Sequence, residues 1–273
     1  MTRGFGPTTV MRRLDWAAPP PPVHREVLSA LPGEPTGRPP LLFVHGAAHG
    51  AWCFAEHWLP AAAERGFPAY AVSLRGHGGS GGARRLGRTT MREYVHDVLQ
   101  TIAELPSRPV LVGHSMGGLI VQLVLERYQA KGGVLLAPAP LHGGARAFLS
   151  MARDRPSHAL RTAVGGTLPM TPEVLFEGLN PVEAERLSGR TGRESPIAQW
   201  QLFVPRTTGP IRTPMLVVGT PDDRLVPLAD VERAARRYGV EPLLFPGIGH
   251  DLMLDAGQDR VLAAVLDWVG ALG

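Results

Sequence analysis

Short, wholly apolar runs recur along this chain, each followed by a glycine-bearing turn and then an amphipathic stretch, and that order leaves few folds open. Leu41–His45, Ala69–Leu74, Val110–His114, Gly133–Ala137, Met215–Gly219 and Pro242–Pro246 are of strand length. Between and after them lie helical patterns at Ala51–Arg65, Thr90–Leu105, Met116–Ala130, Leu228–Tyr238 and Asp255–Leu272. A strand that is apolar at every position must be covered on both faces, and an intervening helix returns the chain for a parallel neighbour. The expected fold class is therefore α/β, a mostly parallel, doubly wound sheet. Val23–Ala30 is a candidate early edge strand.

The alternation stops over residues 140–211, where no strand-type run occurs and helical patterns are broken by Pro156, Gly165-Gly166, Pro169, Pro181 and Gly189. The simplest expectation is a helical lid inserted over the C-terminal edge of the sheet, where open α/β sheets bind ligands. That divides the chain into a core of 23–139 and 212–273, the insertion 140–211, and a Pro-rich N-terminal segment, 1–22. The segment ends in four prolines, Pro19–Pro22, which impose an extended path. With 44% hydrophobic residues the chain can build a large core, and its 33 glycines and 27 prolines fall at breaks rather than in low-complexity tracts.

Several function classes recede on composition. Nothing approaches the about 20 continuous apolar residues of a membrane helix. The N-terminal stretch lacks the apolar core of a secretory signal. Cys53, the single cysteine, has no partner for an internal disulfide. A cytoplasmic chain is expected. The net charge of +4 is almost all arginine, and the densest basic group (Arg84, Arg85, Arg88) falls in a Gly-rich loop. No stripe suited to nucleic acid results. The expected partner is a small molecule, without nucleic acid or membrane, and the sequence is silent on oligomeric state.

Gly113-His114-Ser115-Met116-Gly117 fits Gly-x-Ser-x-Gly, and its weight comes from context. It joins the strand run Val110–Val112 to a helix, the setting in which the serine takes a strained conformation that needs small neighbours. Ser115 is the candidate nucleophile. A hydroxyl needs a base to take its proton, and of ten histidines His250 alone follows a late strand and precedes the closing helix. His45 and His114 suit backbone hydrogen bonds beside glycine turns, and His49, His77 and His142 have no assigned role. The carboxylate that orients the base is expected in Gly219–Pro227, with Asp223 preferred and Asp222 the alternative. Serine, acid and histidine then follow in the order of a nucleophile-elbow hydrolase. An oxyanion needs two backbone N–H donors. Met116 supplies one, and Ala47, or less favourably Ala48, the other. No Cys/His cluster has metal-ligand spacing, so neither metal nor other cofactor is expected.

These four elements in this order make the chain resemble the α/β-hydrolase superfamily of serine hydrolases from about residue 23 to 272. Val44-His45-Gly46-Ala47-Ala48-His49-Gly50-Ala51-Trp52 is similar to the start of the plant methylesterase and hydroxynitrile lyase group and its bacterial relatives, and Gly113–Gly118 fits that group too. Its lyase branch commonly has threonine at the position of Gly46 and lysine at that of Asp251, so the resemblance implies an esterase. Leu74–Ser80 looks instead like general bacterial hydrolases, which removes any inference to a plant substrate. Dehalogenases and epoxide hydrolases of this fold would carry aspartate in place of Ser115.

The implied activity is that of a carboxylesterase, cleaving a small to medium carboxylic ester through an acyl-enzyme. Alternatives are a lactone, thioester, amide or C–C hydrolase on the same triad, a lyase or cyclase, and a non-catalytic binding protein. Apolar residues of the insertion, among them Phe148, Met151, Leu175, Phe176 and Trp200, either line the pocket or hold the lid to the sheet.

Overall fold

The computed structural model describes residues 18–272 apart from 145–148, 150, 151, 154, 155, 158, 159, 161–165 and 169. Most of the Pro-rich segment, together with Phe148 and Met151, lies outside the described residues. Seven strands form one sheet: β1 (Val27–Ala30), β2 (Leu41–Val44), β3 (Ala69–Val72), β4 (Val110–His114), β5 (Gly132–Leu136), β6 (Met215–Gly219) and β7 (Leu243–Leu244). Their order is β1-β3-β2-β4-β5-β6-β7. Only β1 runs antiparallel to its neighbour, and every other pairing is parallel.

Nine described α-helices flank the sheet: α1 (Trp52–Ala55), α2 (Trp58–Glu64), α3 (Met91–Glu104), α4 (Met116–Leu125), α5 (Pro172–Leu175), α6 (Pro181–Ser188), α7 (Pro196–Phe203), α8 (Leu228–Tyr238) and α9 (Gln258–Gly270). The single helix expected over Ala51–Arg65 is two, parted at His57 (φ −136°). Pro60 explains the break. In a continuous helix it could not donate to the Glu56 carbonyl and its ring would strike that group, whereas a restart at Trp58 puts it in the first turn, where no donor is needed. The expected strand Pro242–Pro246 shrinks to Leu243–Leu244, since its bounding prolines cannot donate to the ladder. Other boundaries shift by a few residues, and α3 begins where expected, with Glu93 Oε2 accepting from the Thr90 N–H at 2.8 Å.

Strand residues alternate between two apolar layers, as a period of two requires. Leu42, Val44, Leu111 and Leu135 pack with Tyr94, Leu99, Ile120 and Val124 of α3 and α4. Leu41, Phe43, Val112 and Val134 face the other way, against Phe54, Trp58 and Val265 of α1, α2 and α9. Phe43 stacks on Phe54 at 4.9 Å between ring centroids. Cys53 is fully buried in this second layer, and burial pushes its thiol pKa up.

The connection from β5 to β6 carries α5, α6 and α7. Leu175 and Phe176 are buried in the second layer, so these two serve packing, while Trp200 is 40% exposed. No described helix is long and apolar enough to cross a membrane. The register Val44↔Gly113, His114↔Leu136 and Leu136↔Val218 sets the C-terminal ends of β2, β4, β5 and β6 side by side.

Candidate active site

Ser115 occupies the turn between β4 and α4 with φ 51° and ψ −117°, a conformation costing a non-glycine residue about 1–3 kcal/mol. Three backbone hydrogen bonds hold it there: Ser115 N–H to Leu136 O (2.9 Å), and Ala139 and Leu119 N–H to Ser115 O (3.0 and 3.2 Å). The glycines around it have a steric reason. A Cβ on Gly117 would lie 2.1 Å from the Val44 carbonyl oxygen, and one on Gly113 2.3 Å from that of Gly117. Strand and helix thus cross too closely for any side chain at either position.

The loop after β2 runs beside this turn. A Cβ on Gly46 would fall 2.8 Å from His114 Nδ1 and 3.1 Å from Ser115 Cβ, so the residue following His45 must be small here. His45 Nε2 accepts from Leu74 N–H at 3.0 Å, which leaves its proton on Nδ1 to donate to Gly46 O at 2.7 Å. Burial and the neighbouring His77 keep His45 neutral by lowering its pKa well below the ordinary value. Of the two candidate donors in this loop, Ala48 N–H is engaged by Glu194 Oε2 at 3.0 Å. Neither Ala47 N–H nor Met116 N–H has an acceptor among the described residues.

His250 and Asp223 come together on the loops after β7 and β6. His250 Nδ1–H donates to Asp223 Oδ2 at 2.7 Å. The other carboxylate oxygen accepts from Leu225 and Val226 N–H at 2.7 and 2.8 Å, which fixes its orientation. Asp222 turns away, and its Oδ2 accepts from Gly247 N–H at 2.7 Å. Burial alone would lower the His250 pKa, but the Asp223 charge and hydrogen bond outweigh it and raise the value above 6.5. His114 packs against His250 with ring centroids 4.7 Å apart and donates Nε2–H to its carbonyl at 2.9 Å. Desolvation and the His250 charge push the His114 pKa down to about 3, so it is neutral at any working pH.

Sequence reasoning missed a buried polar layer behind these groups. His49, without an assigned role there, donates Nε2–H to Asp251 Oδ2 at 2.9 Å and Nδ1–H to Ala47 O at 2.8 Å. Burial would lower its pKa, yet Asp251 raises it overall. His77 lies 3.2 Å from Glu194, and His142 3.0 Å from Asp230 on the periphery. Clustered histidines in the 45–50 loop were the visible signal, because buried imidazoles call for carboxylates. Nothing in the sequence said which carboxylates. His114, His250 and Asp251 also bring metal-ligand atoms within 4.8 Å of one another, a grouping of three found once among the described residues. Asp251 there is paired with His49 and His250 with Asp223.

A strained serine at a strand–helix turn, with a carboxylate-bound histidine near the ends of neighbouring parallel strands, narrows the family. The model of the alpha/beta hydrolase family matches residues 41–264. The chain belongs to that family. Among its relatives, the monoacylglycerol lipase of Mycolicibacterium smegmatis is 26% identical over 84% of this chain and 87% of its own. Methylesterase 10 of Arabidopsis thaliana is 36% identical over 40% of each. In structure the α/β-hydrolase chain is similar to a thermophilic esterase from Thermogutta terrifontis (TM-score 0.69, 20% identity, 93% of this chain and 96% of that one). It is also similar to the Paleococcus ferrophilus monoacylglycerol lipase (TM-score 0.65, 20% identity, 92% and 100%).

Proposed function

We propose that this chain is a serine carboxylesterase, cleaving small to medium carboxylic esters with Ser115 as nucleophile, His250 as base and Asp223 as the orienting acid. The observation that carries the reading is the 2.7 Å hydrogen bond between Asp223 and His250 Nδ1. It leaves Nε2 as the proton acceptor, at a ring packed on the residue preceding the strained Ser115. In this reading His250 takes the Ser115 proton as Oγ attacks the ester carbonyl. The oxyanion is held by the N–H groups of Ala47 and Met116. Collapse of the tetrahedral adduct breaks the C–O bond, His250 protonates the departing alcohol, and the acyl group remains on Ser115. Water, deprotonated by His250, then releases the acid. Asp223 stays ionised and stabilises the imidazolium throughout. No cofactor takes part.

Relatives named as a lipase and a methylesterase support an ester as substrate. Gly46 and Asp251 count against cyanohydrin lysis. A threonine at position 46 would place its Cβ 2.8 Å from His114 Nδ1, and Asp251 is committed to His49. The helical connection 140–211 is assigned as a lid that bounds the acyl site, and the buried Cys53 suits a cytoplasmic enzyme.

The test is a panel of p-nitrophenyl esters of rising acyl length, with and without a fluorophosphonate. Turnover that peaks at short to medium chains and disappears as Ser115 becomes labelled is expected. Labelling of another residue, or turnover that survives complete labelling of Ser115, overturns the assignment. The same assay yields a pH profile. His250 acts as its free base, so kcat/KM should fall about tenfold per unit on the acid side, with a midpoint above 6.5, in line with the raised His250 pKa. A midpoint well below 6.5 would contradict an ionised Asp223 beside it.

A further inference from the structure

Glu194, in the β5–β6 connection just before α7, is 3% exposed and reaches into the loop after β2. Its Oε2 accepts from Ala48 N–H at 3.0 Å and lies 3.2 Å from His77 Nε2. Its Oε1 accepts from the Tyr94 hydroxyl and from Ser195 N–H, both at 2.6 Å. On the far end of the same Ala47–Ala48 peptide, His49 Nδ1–H donates to the Ala47 carbonyl. Because both His49 nitrogens face acceptors, both carry protons and the ring is a cation.

This peptide is therefore held at its oxygen by a cation and at its N–H by an anion. The preceding Gly46–Ala47 peptide is held at its oxygen by His45, so the peptides on both sides of Ala47 are fixed. Ala48 itself has φ 62°, a left-handed conformation an L residue adopts only when its surroundings compel it. Burial would raise the Glu194 pKa, but His77, Tyr94 and the Ser195 N–H hold it below the ordinary range, so the carboxylate is charged.

We infer that Glu194 is a positioning residue: by clamping the Ala48 N–H it completes, together with His45 on the Gly46 carbonyl, the hold on the two peptides that flank Ala47 and so on its N–H, and makes the oxyanion pocket depend on the docked β5–β6 connection. The inference rests on the role proposed above for Ala47. A misdirected donor costs catalysis without costing substrate affinity, and displacement by 1 Å is worth about 100-fold.

The test compares the full chain with Glu194→Ala and Glu194→Gln. The readouts are p-nitrophenyl acetate kinetics, the rate of fluorophosphonate labelling of Ser115, and amide exchange at Ala48. Glu194→Ala should lower kcat and the labelling rate about 30- to 100-fold with KM within threefold, and should speed Ala48 exchange more than about tenfold as its protecting bond is lost. Glu194→Gln keeps an acceptor for Ala48 N–H and should recover most of the loss. A purely structural role would lower Tm and leave kcat intact well below it. Folded Glu194→Ala with kcat and labelling within threefold of the parent overturns the inference. Should Glu194→Ala not fold, Glu194→Met, of similar volume but with no oxygen to accept from Ala48 N–H, takes its place: a kcat lowered about tenfold or more at unchanged KM supports the clamp, and a kcat within threefold of the parent overturns it. Ester turnover that survives Ser115→Ala would instead break the functional reading, and the Ala48 exchange data would still say whether the clamp exists.

Discussion

Ser115→Ala is expected to lower kcat on p-nitrophenyl esters by about 10⁵-fold or more, the scale on which loss of a serine nucleophile acts where the serine, histidine and aspartate work as a unit. What remains should be the contribution of substrate binding and the oxyanion donors alone, still about 10³–10⁴ over the reaction in water. Tm should hardly move. Alanine inherits the same φ of 51°, and the three bonds that hold this turn are all made by backbone atoms. The loss should therefore be chemical, with KM or product affinity near that of the parent. Retention of a tenth of the parent activity by a correctly folded Ser115→Ala chain would remove the covalent mechanism altogether.

The second large effect separates two neighbouring carboxylates. In Asp223→Asn the side-chain oxygen can keep the Leu225 and Val226 N–H bonds, which leaves the amide NH₂ facing His250. An NH₂ cannot accept the Nδ1 proton, so the imidazole must move that proton to Nε2, where it blocks abstraction from Ser115. A loss of about 10⁴ in kcat is expected, with the acid-side midpoint shifted down because the charge that raises the His250 pKa is gone. Asp222→Asn should stay within about fivefold, since Asp222 supports Gly247 and makes no bond to the ring. Stopped-flow kinetics on both variants decide the matter, and a reversal of the two outcomes would make Asp222 the acid.

Much of this architecture was legible because its causes are local. Leu41–Val44 and Met215–Gly219 are apolar at every position, and only a strand covered on both faces tolerates that. The turn at Ser115 was legible through Gly113 and Gly117, whose lack of a side chain is what the 2.1 and 2.3 Å approaches demand. Choosing Asp223 over Asp222 was harder. Successive side chains leave a loop in different directions, and which one meets His250 depends on Thr220, whose hydroxyl receives the Asp222 N–H at 3.0 Å. The break of the first helix was readable in Pro60. Glu194 was not, because its contact with Ala48 spans 146 positions, and Gly192-Arg193-Glu194-Ser195 carries the composition of any exposed turn. His49 failed for the same reason: a histidine in a glycine-rich loop becomes an ion-pair partner only once Asp251, 202 positions away, is folded against it.

The adjacency of β5 and β6 has a consequence for how such a chain can diversify. Residues 137–214 leave and re-enter the sheet at neighbouring parallel strands paired Leu136↔Val218, so the ladder itself holds the two junctions together. A connection of different length or sequence could be spliced between them without slipping the register of any strand. Glu194 limits that freedom. Whatever replaces the segment must bring its own acceptor to the Ala48 amide, so selection for a new substrate and retention of turnover act on the same stretch of chain and are inherited together.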